Sequence, residues 1–161
     1  MRKHTLAVTV ENRPGVLTRV TTLFRRRGYN IESLAVGETE NPGISRITIV
    51  VMGDGKILEQ VTKQLYKLVE VIKIVDITEE RSVERELVLI KVRADNNVRA
   101  DIVQIVDILR ARIVDIGKNS LIIEVTGDSG KTDAIVESLK PFGVMELVRT
   151  GIIAMVRGEI K

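Results

Sequence analysis

The stretch ENRPGVLTRV, residues 11–20, joins two segments of different period and decides the fold around it. Ahead of it, HTLAVTV sets Leu6, Val8 and Val10 on one side and Thr5, Ala7 and Thr9 on the other, the two-residue period of a half-buried strand. Behind it, Val16, Leu17, Val20, Leu23 and Phe24 recur as one stripe of a helix. Pro14 suits the first turn of that helix, where a missing amide hydrogen costs nothing, and Gly15 bares the backbone beside it. The junction therefore presents free N–H groups at the positive end of a helix dipole, next to Asn12 and Arg13. Two readings stay open at this point: a well-made helix start, or a seat for a small anion.

Working outward, the helix ends in Arg25, Arg26 and Arg27 before Gly28. Positive charge there offsets the dipole and glycine supplies a left-handed cap, so helix termination competes with phosphate binding as the role of the arginines. Residues 30–38 and 43–52 read as strands about a turn at TENPG. A helix with Ile57, Leu58, Val61, Leu65 and Leu68 as its stripe leads to a strand at 71–78. The charged run EERSVERE, 79–86, breaks the apolar pattern and reads as a linker. Then the order repeats: strand 86–94, helix 98–110, a hairpin through Gly117, Lys118 and Asn119, helix 131–140 stopped by Pro141, and a final strand or strand pair at 144–158. The expected fold class is α+β, two tandem ferredoxin-like βαββαβ units, residues 1–79 and 80–161.

Composition narrows the functions. With 44% hydrophobic and 29% charged residues the chain can bury a core and stay soluble. It has no run of about 18 apolar residues and no signal-peptide pattern, so no membrane partner is expected. The absence of cysteine excludes disulfides, thiolate metal sites and a cysteine nucleophile, and points to the cytoplasm. The 25 basic and 22 acidic side chains are interleaved, unlike the one-sided charge of nucleic-acid binders. Strands of this fold that stack RNA bases carry aromatics, and TLAVTV and SRITIVVM have none. The one histidine, His4, sits near a chain end and is expected to be solvated. VTGDSGKT, 125–132, imitates a phosphate-binding loop, but Val125 stands where that motif needs glycine. Ser129 or Asp128 capping a helix accounts for the same letters. No nucleophile with a base emerges, and no metal-ligand cluster, so no catalytic residue is assigned.

What remains is a binding or regulatory module. The first 78 residues resemble an ACT domain, whose hallmark strand-to-helix turn is matched by ENRPGVLTRV. LFRRRGYNIESLAVGET (23–39), SRITIVVMGDGKILEQVTKQLYKLVEVIKIVDIT (45–78), VERELVLIKV (83–92) and VRTGIIAMVRGE (148–159) are similar to the small regulatory subunit of acetolactate synthase, over essentially the whole chain. The resemblance implies a non-catalytic subunit that activates a large catalytic subunit and confers feedback inhibition by valine, with leucine or isoleucine as alternatives. It places thiamine diphosphate, Mg²⁺ and FAD on the catalytic partner and no cofactor on this chain. It implies a homodimer through the N-terminal domain. The effector would lie on Asn12, Pro14, Gly15, Val16, Leu17, Asn30 and Ile31, with Asn30 reaching across from the neighbouring chain. A free-standing ACT-type sensor acting on another enzyme or regulator is the alternative.

Overall fold

A computed structural model describes residues 1–159. The elements run β1 (Arg2–Glu11), α1 (Val16–Arg27), β2 (Ile31–Glu38), β3 (Ile44–Gly53), α2 (Gly55–Leu65) and β4 (Val71–Asp76). They continue as β5 (Ser82–Arg93), α3 (Arg99–Ile108), β6 (Arg112–Ile116), β7 (Ser120–Gly127), α4 (Ser129–Leu139), a 3-10 turn (Lys140–Phe142), β8 (Val144–Arg149) and β9 (Ile153–Val156). Each βαββαβ set builds its own antiparallel sheet, and the strand orders correspond: β2-β3-β1-β4 and β6-β7-β5-β8, with β9 pairing β5. The two ferredoxin-like units read from the sequence are the observed fold.

The chain divides into Met1–Val83 with the segment from Ile152 onward, and Glu84–Gly151. Against the sequence boundary at 79/80, the division falls inside β5, and residues 152–159 group with the first unit. Residues 160 and 161, which close the expected second domain, lie outside the described residues. The run EERSVERE is not a linker throughout, because Ser82 already opens β5. Its Glu86 shares a strand face with Val88, Ile90 and Val92 and is itself buried. Its carboxylate accepts from the Thr132 hydroxyl (2.7 Å) and from Arg149 (3.2 Å), which offsets its loss of water.

In the first unit Leu6, Val8 and Val10 of β1 meet Ile47, Ile49 and Val51 of β3 under Val16, Val20 and Phe24 of α1 and Val61 and Leu65 of α2. Each such side chain, fully buried, is worth roughly 1.5–3 kcal/mol over leaving it in water. His4 has the same parity as Leu6 and lies 2% exposed, contrary to its expected solvation. Its Nε2–H donates to the Gly53 carbonyl (3.2 Å). The opposite face of this sheet is not open either. Ser33 and Arg46 lie on it by register, and the segment after Gly151 returns over them. There the Ile152 amide donates to Ser33 Oγ (2.9 Å) and Arg46 to the Ala154 carbonyl (2.6 Å). Thr5, Ala7, Thr48 and Val50 on this face are buried.

Helix ends follow their capping residues. Asp54 opens α2, its carboxylate accepting from the Ile57 amide (3.0 Å). That bond above all holds the Asp54 carboxyl below its ordinary pKa. Gly28 closes α1 at φ 68°, where its own amide and that of Tyr29 satisfy the Arg25 and Phe24 carbonyls. The second unit packs Ile102 and Val106 of α3 and Ile135 and Leu139 of α4 on Val88, Ile90, Leu121 and Ile123.

Candidate functional site

The junction at residues 11–20 folds as a tight turn before the helix. Gly15 has φ 85° and ψ −9°, and the Val16 amide contacts the Arg13 carbonyl at 3.4 Å. That is a type II turn with Pro14 and Gly15 at its centre, and the positive φ it needs at its third residue is one a glycine adopts without strain. Pro14 therefore precedes α1 rather than standing in its first turn, a correction to the sequence reading; Gly15 is the cap. The Arg19 amide returns to the Gly15 carbonyl (3.1 Å), so the helix ladder starts at once. No side chain caps this end, and the amides of Gly15, Leu17 and Thr18 have no acceptor among the described residues. No acid lies in the first turn. Three bared amides at a helix start suit a carboxylate or phosphate.

The surroundings hold this turn in place. The Glu11 amide donates to the Glu70 carbonyl and the Asn12 amide to the Gly43 carbonyl, both at 2.9 Å. Buried Glu70 also pairs with Arg19 on α1, so one residue grips the strand side and the helix side of the turn. Arg13 Nε lies 3.0 Å from Glu11 Oε2 as a charge contact without hydrogen-bond alignment. Both nearby cations thus have their own carboxylates, and the pull on an anion comes from the amides. The Asn12 side chain is exposed and donates to Glu38 (3.3 Å). Leu17 is 42% exposed beside the bared amides, whereas the Val16 side chain is in the core and leaves only its backbone for a ligand. Sequence reading missed Glu38, Gly43 and Glu70, which reach the turn through register rather than through any local pattern.

Asn30 and Ile31 do not join this group within the chain. Ile31 pairs with Val51, opposite His4, at one end of the sheet, and Glu38 pairs with Ser45, opposite Val10, at the other. Seven residue steps along β2 separate the two ends, about 23 Å at the rise of a strand. Asn30 is exposed and donates to Glu32 (2.9 Å), and Ile31 packs at the rim of the core. The strand they open, β2, is an edge with one side unpaired.

The phosphate-loop imitation is structural. Asp128 caps α4, accepting from the Lys131 amide (2.9 Å). Thr132, where such a loop would reach a metal, is wholly buried and donates to Glu86. Arg149 ties that carboxylate to Asp133 (3.0 Å). Among the described residues no group of three or more His, Asp or Glu could hold a metal, and no helix is long and apolar enough to cross a membrane.

A ferredoxin-like unit whose first strand turns into a helix through a Pro-Gly turn is the build of an ACT domain. Residues 6–73 match the family described as the AHAS small subunit-like ACT domain, and residues 85–158 the small subunit of acetolactate synthase. A probable acetolactate synthase small subunit from Archaeoglobus fulgidus is 59% identical over 99% of both chains. The acetolactate synthase small subunit of Mycobacterium leprae is 52% identical over 96% of this chain and 92% of its own. The crystal structure of the Thermotoga maritima small subunit superposes with a TM-score of 0.89 at 46% identity, covering 99% of this chain and all of that one. The chain belongs to the acetolactate synthase small-subunit family, a family of regulatory subunits.

Proposed function

We propose that this subunit binds a branched-chain amino acid, valine first, at the turn before α1, and so regulates a large acetolactate synthase subunit. The reading rests on the three unpartnered amides of Gly15, Leu17 and Thr18 beside exposed Leu17. They offer donors for a carboxylate and an apolar neighbour for an aliphatic side chain. The ammonium needs acceptors, and Asn12 can supply one. Asn30 and Ile31 lie a strand's length away, so their part in the same site calls for a second protomer joined along the free edge of β2. A ligand held between two chains couples its binding to their geometry, which is the two-state element that feedback inhibition needs.

In this reading the catalytic partner carries thiamine diphosphate, Mg²⁺ and FAD, and this chain raises its activity and makes it valine-sensitive, in the cytosol. The test is acetolactate formation by the catalytic subunit alone, with this subunit, and with this subunit plus valine. Stimulation that valine reverses supports the proposal. Unchanged activity, with no co-purification of the two chains, would leave a free-standing sensor of another target.

A further inference from the structure

A groove of about 410 Å³ runs between α1 and α2 on the helical face of the first unit, from Thr18 and Arg19 near the start of α1 to Arg26 and Arg27 at its end. Arg19, Arg26, Arg27 and Lys67 line it together with Thr22 and Gln64, and no carboxylate does. Arg19 is engaged by Glu70, whereas Arg26, Arg27 and Lys67 enter no ion pair among the described residues.

Helix termination does not account for this charge. The end of α1 is closed by the amides of Gly28 and Tyr29, and the dipole there amounts to only about half an elementary charge. Three consecutive arginines exceed it several-fold. Moreover α1 carries four arginines and no acid, more positive charge than the +3 of the entire chain. In a protein whose signs otherwise interleave, a surplus of positive charge is gathered on one helix, and three of its four arginines line one concavity. Guanidinium groups present planar forks that match carboxylates two bonds at a time. The threonine and glutamine supply neutral hydrogen-bonding groups between the forks.

We propose that the α1–α2 groove docks an acidic segment of the large catalytic partner, carboxylates entering against Arg26, Arg27 and Lys67. This rests on the regulatory-subunit reading and adds the surface by which the subunit holds its partner. A concave groove fits side chains of a folded surface better than the long, continuous track that a nucleic-acid backbone needs.

The experiment uses the full chain with Arg26→Glu and Arg27→Glu together, both exposed positions, and a milder Arg26→Gln, Arg27→Gln pair. Association with the catalytic subunit is followed by sedimentation at low salt and at about 0.15 M, where exposed charges are screened beyond roughly 8 Å. Expected are at least about tenfold weaker association for the reversed pair, a smaller loss for the neutral pair, and a steep decline of wild-type association with salt. Valine binding by calorimetry should be unchanged in both variants, which shows that the fold and the effector turn survive. Equal association of wild type and reversed pair overturns the docking surface while leaving the regulatory role intact. Failure of the wild type to associate at all overturns both. Binding of the wild type to random-sequence duplex DNA that falls steeply between low and moderate salt and is lost in the reversed pair would make the groove a phosphate track and also overturn the proposal.

Discussion

Replacing Gly15 by Asn or by Asp separates the backbone demand of the turn from its electrostatics, because the two side chains share a shape and differ by one charge. At φ 85° any L-residue pays for a left-handed conformation, roughly 1–2 kcal/mol in general and least for Asn and Asp. A Cβ built at Gly15 meets nothing within 4 Å, so no clash adds to that. Both variants should therefore fold, with melting temperatures lowered by a few degrees, about 4–8 °C per kcal/mol for a unit of this size. Valine binding should then split them. Taking the introduced carboxylate of Gly15→Asp to lie about 5 Å from that of the ligand, repulsion is about 0.8 kcal/mol at the dielectric of water and about 3 kcal/mol at an effective dielectric of about 20. Gly15→Asp should thus bind valine about 4- to 200-fold more weakly than Gly15→Asn. Valinamide, which keeps the ammonium and loses the carboxylate charge, should bind Gly15→Asp no more weakly than Gly15→Asn. Calorimetric titration of both variants, with thermal melts alongside, reads each quantity. Equal valine affinities in the two variants would refute a carboxylate seated on these amides.

The Asn30→Ala homodimer should lose both sites, whereas a dimer pairing a Gly15→Asp protomer with an Asn30→Ala protomer should keep one intact site if each site takes its turn from one chain and Asn30 from the other; titration should find half the sites at wild-type affinity, and finding none would refute a site shared between chains. Thr132→Val should cost about 1–3 kcal/mol in urea unfolding, since it strips a donor from buried Glu86, while Lys131→Ala should cost little. Neither variant should alter nucleotide binding, because wild type should show none; tight ATP binding lost in Lys131→Ala would show a phosphate loop after all. The lowered pKa of Asp54 makes its cap fully stabilising above the ordinary carboxylate range and progressively lost as pH falls through the lowered folded value. Asp54→Ala should therefore lower the urea midpoint at pH 6 and lower it less at pH 3; an equal loss at both would remove charge from the account.

Local pattern was enough for most of the fold. The alternation of Leu6, Val8 and Val10 and the stripe of Val16, Val20 and Phe24 are the core contacts observed, and Asp128 caps α4 as its position before SGKT suggests. Apart from Pro14, whose turn is local, the failures involve partners distant in sequence. The charged run hid the start of β5 because carboxylates belong in water, yet Glu86 is buried and its Thr132 and Arg149 partners lie 46 and 63 residues on. His4 looked solvated by its place near the chain start, yet strand parity carries it inward and Gly53 gives it an acceptor. Thr5 and Ala7 read as a solvent face, and no feature of β1 announces a segment returning after residue 151. At the site, the bared amides were legible from Pro14 and Gly15, but the grip of Glu70 on both sides of the turn was not, since it depends on where β4 begins.

The returning segment also sets an order for biogenesis. Residues 84–151 lie in sequence between two parts of one unit, so the ribosome completes the second unit before it delivers the stretch that covers Ser33 and Arg46. The first four strands and two helices must wait, with the outer face of their sheet uncovered, while a whole unit is made. During that interval Thr48, Val50 and Ala7 are open to other chains, and residues 1–79 cut out as a fragment would remain at that stage indefinitely. Small and polar side chains on that face, Ser33, Ala35, Gly37, Thr48 and Thr9, make the delay tolerable, because a nascent surface poor in large apolar groups is a poor template for aggregation.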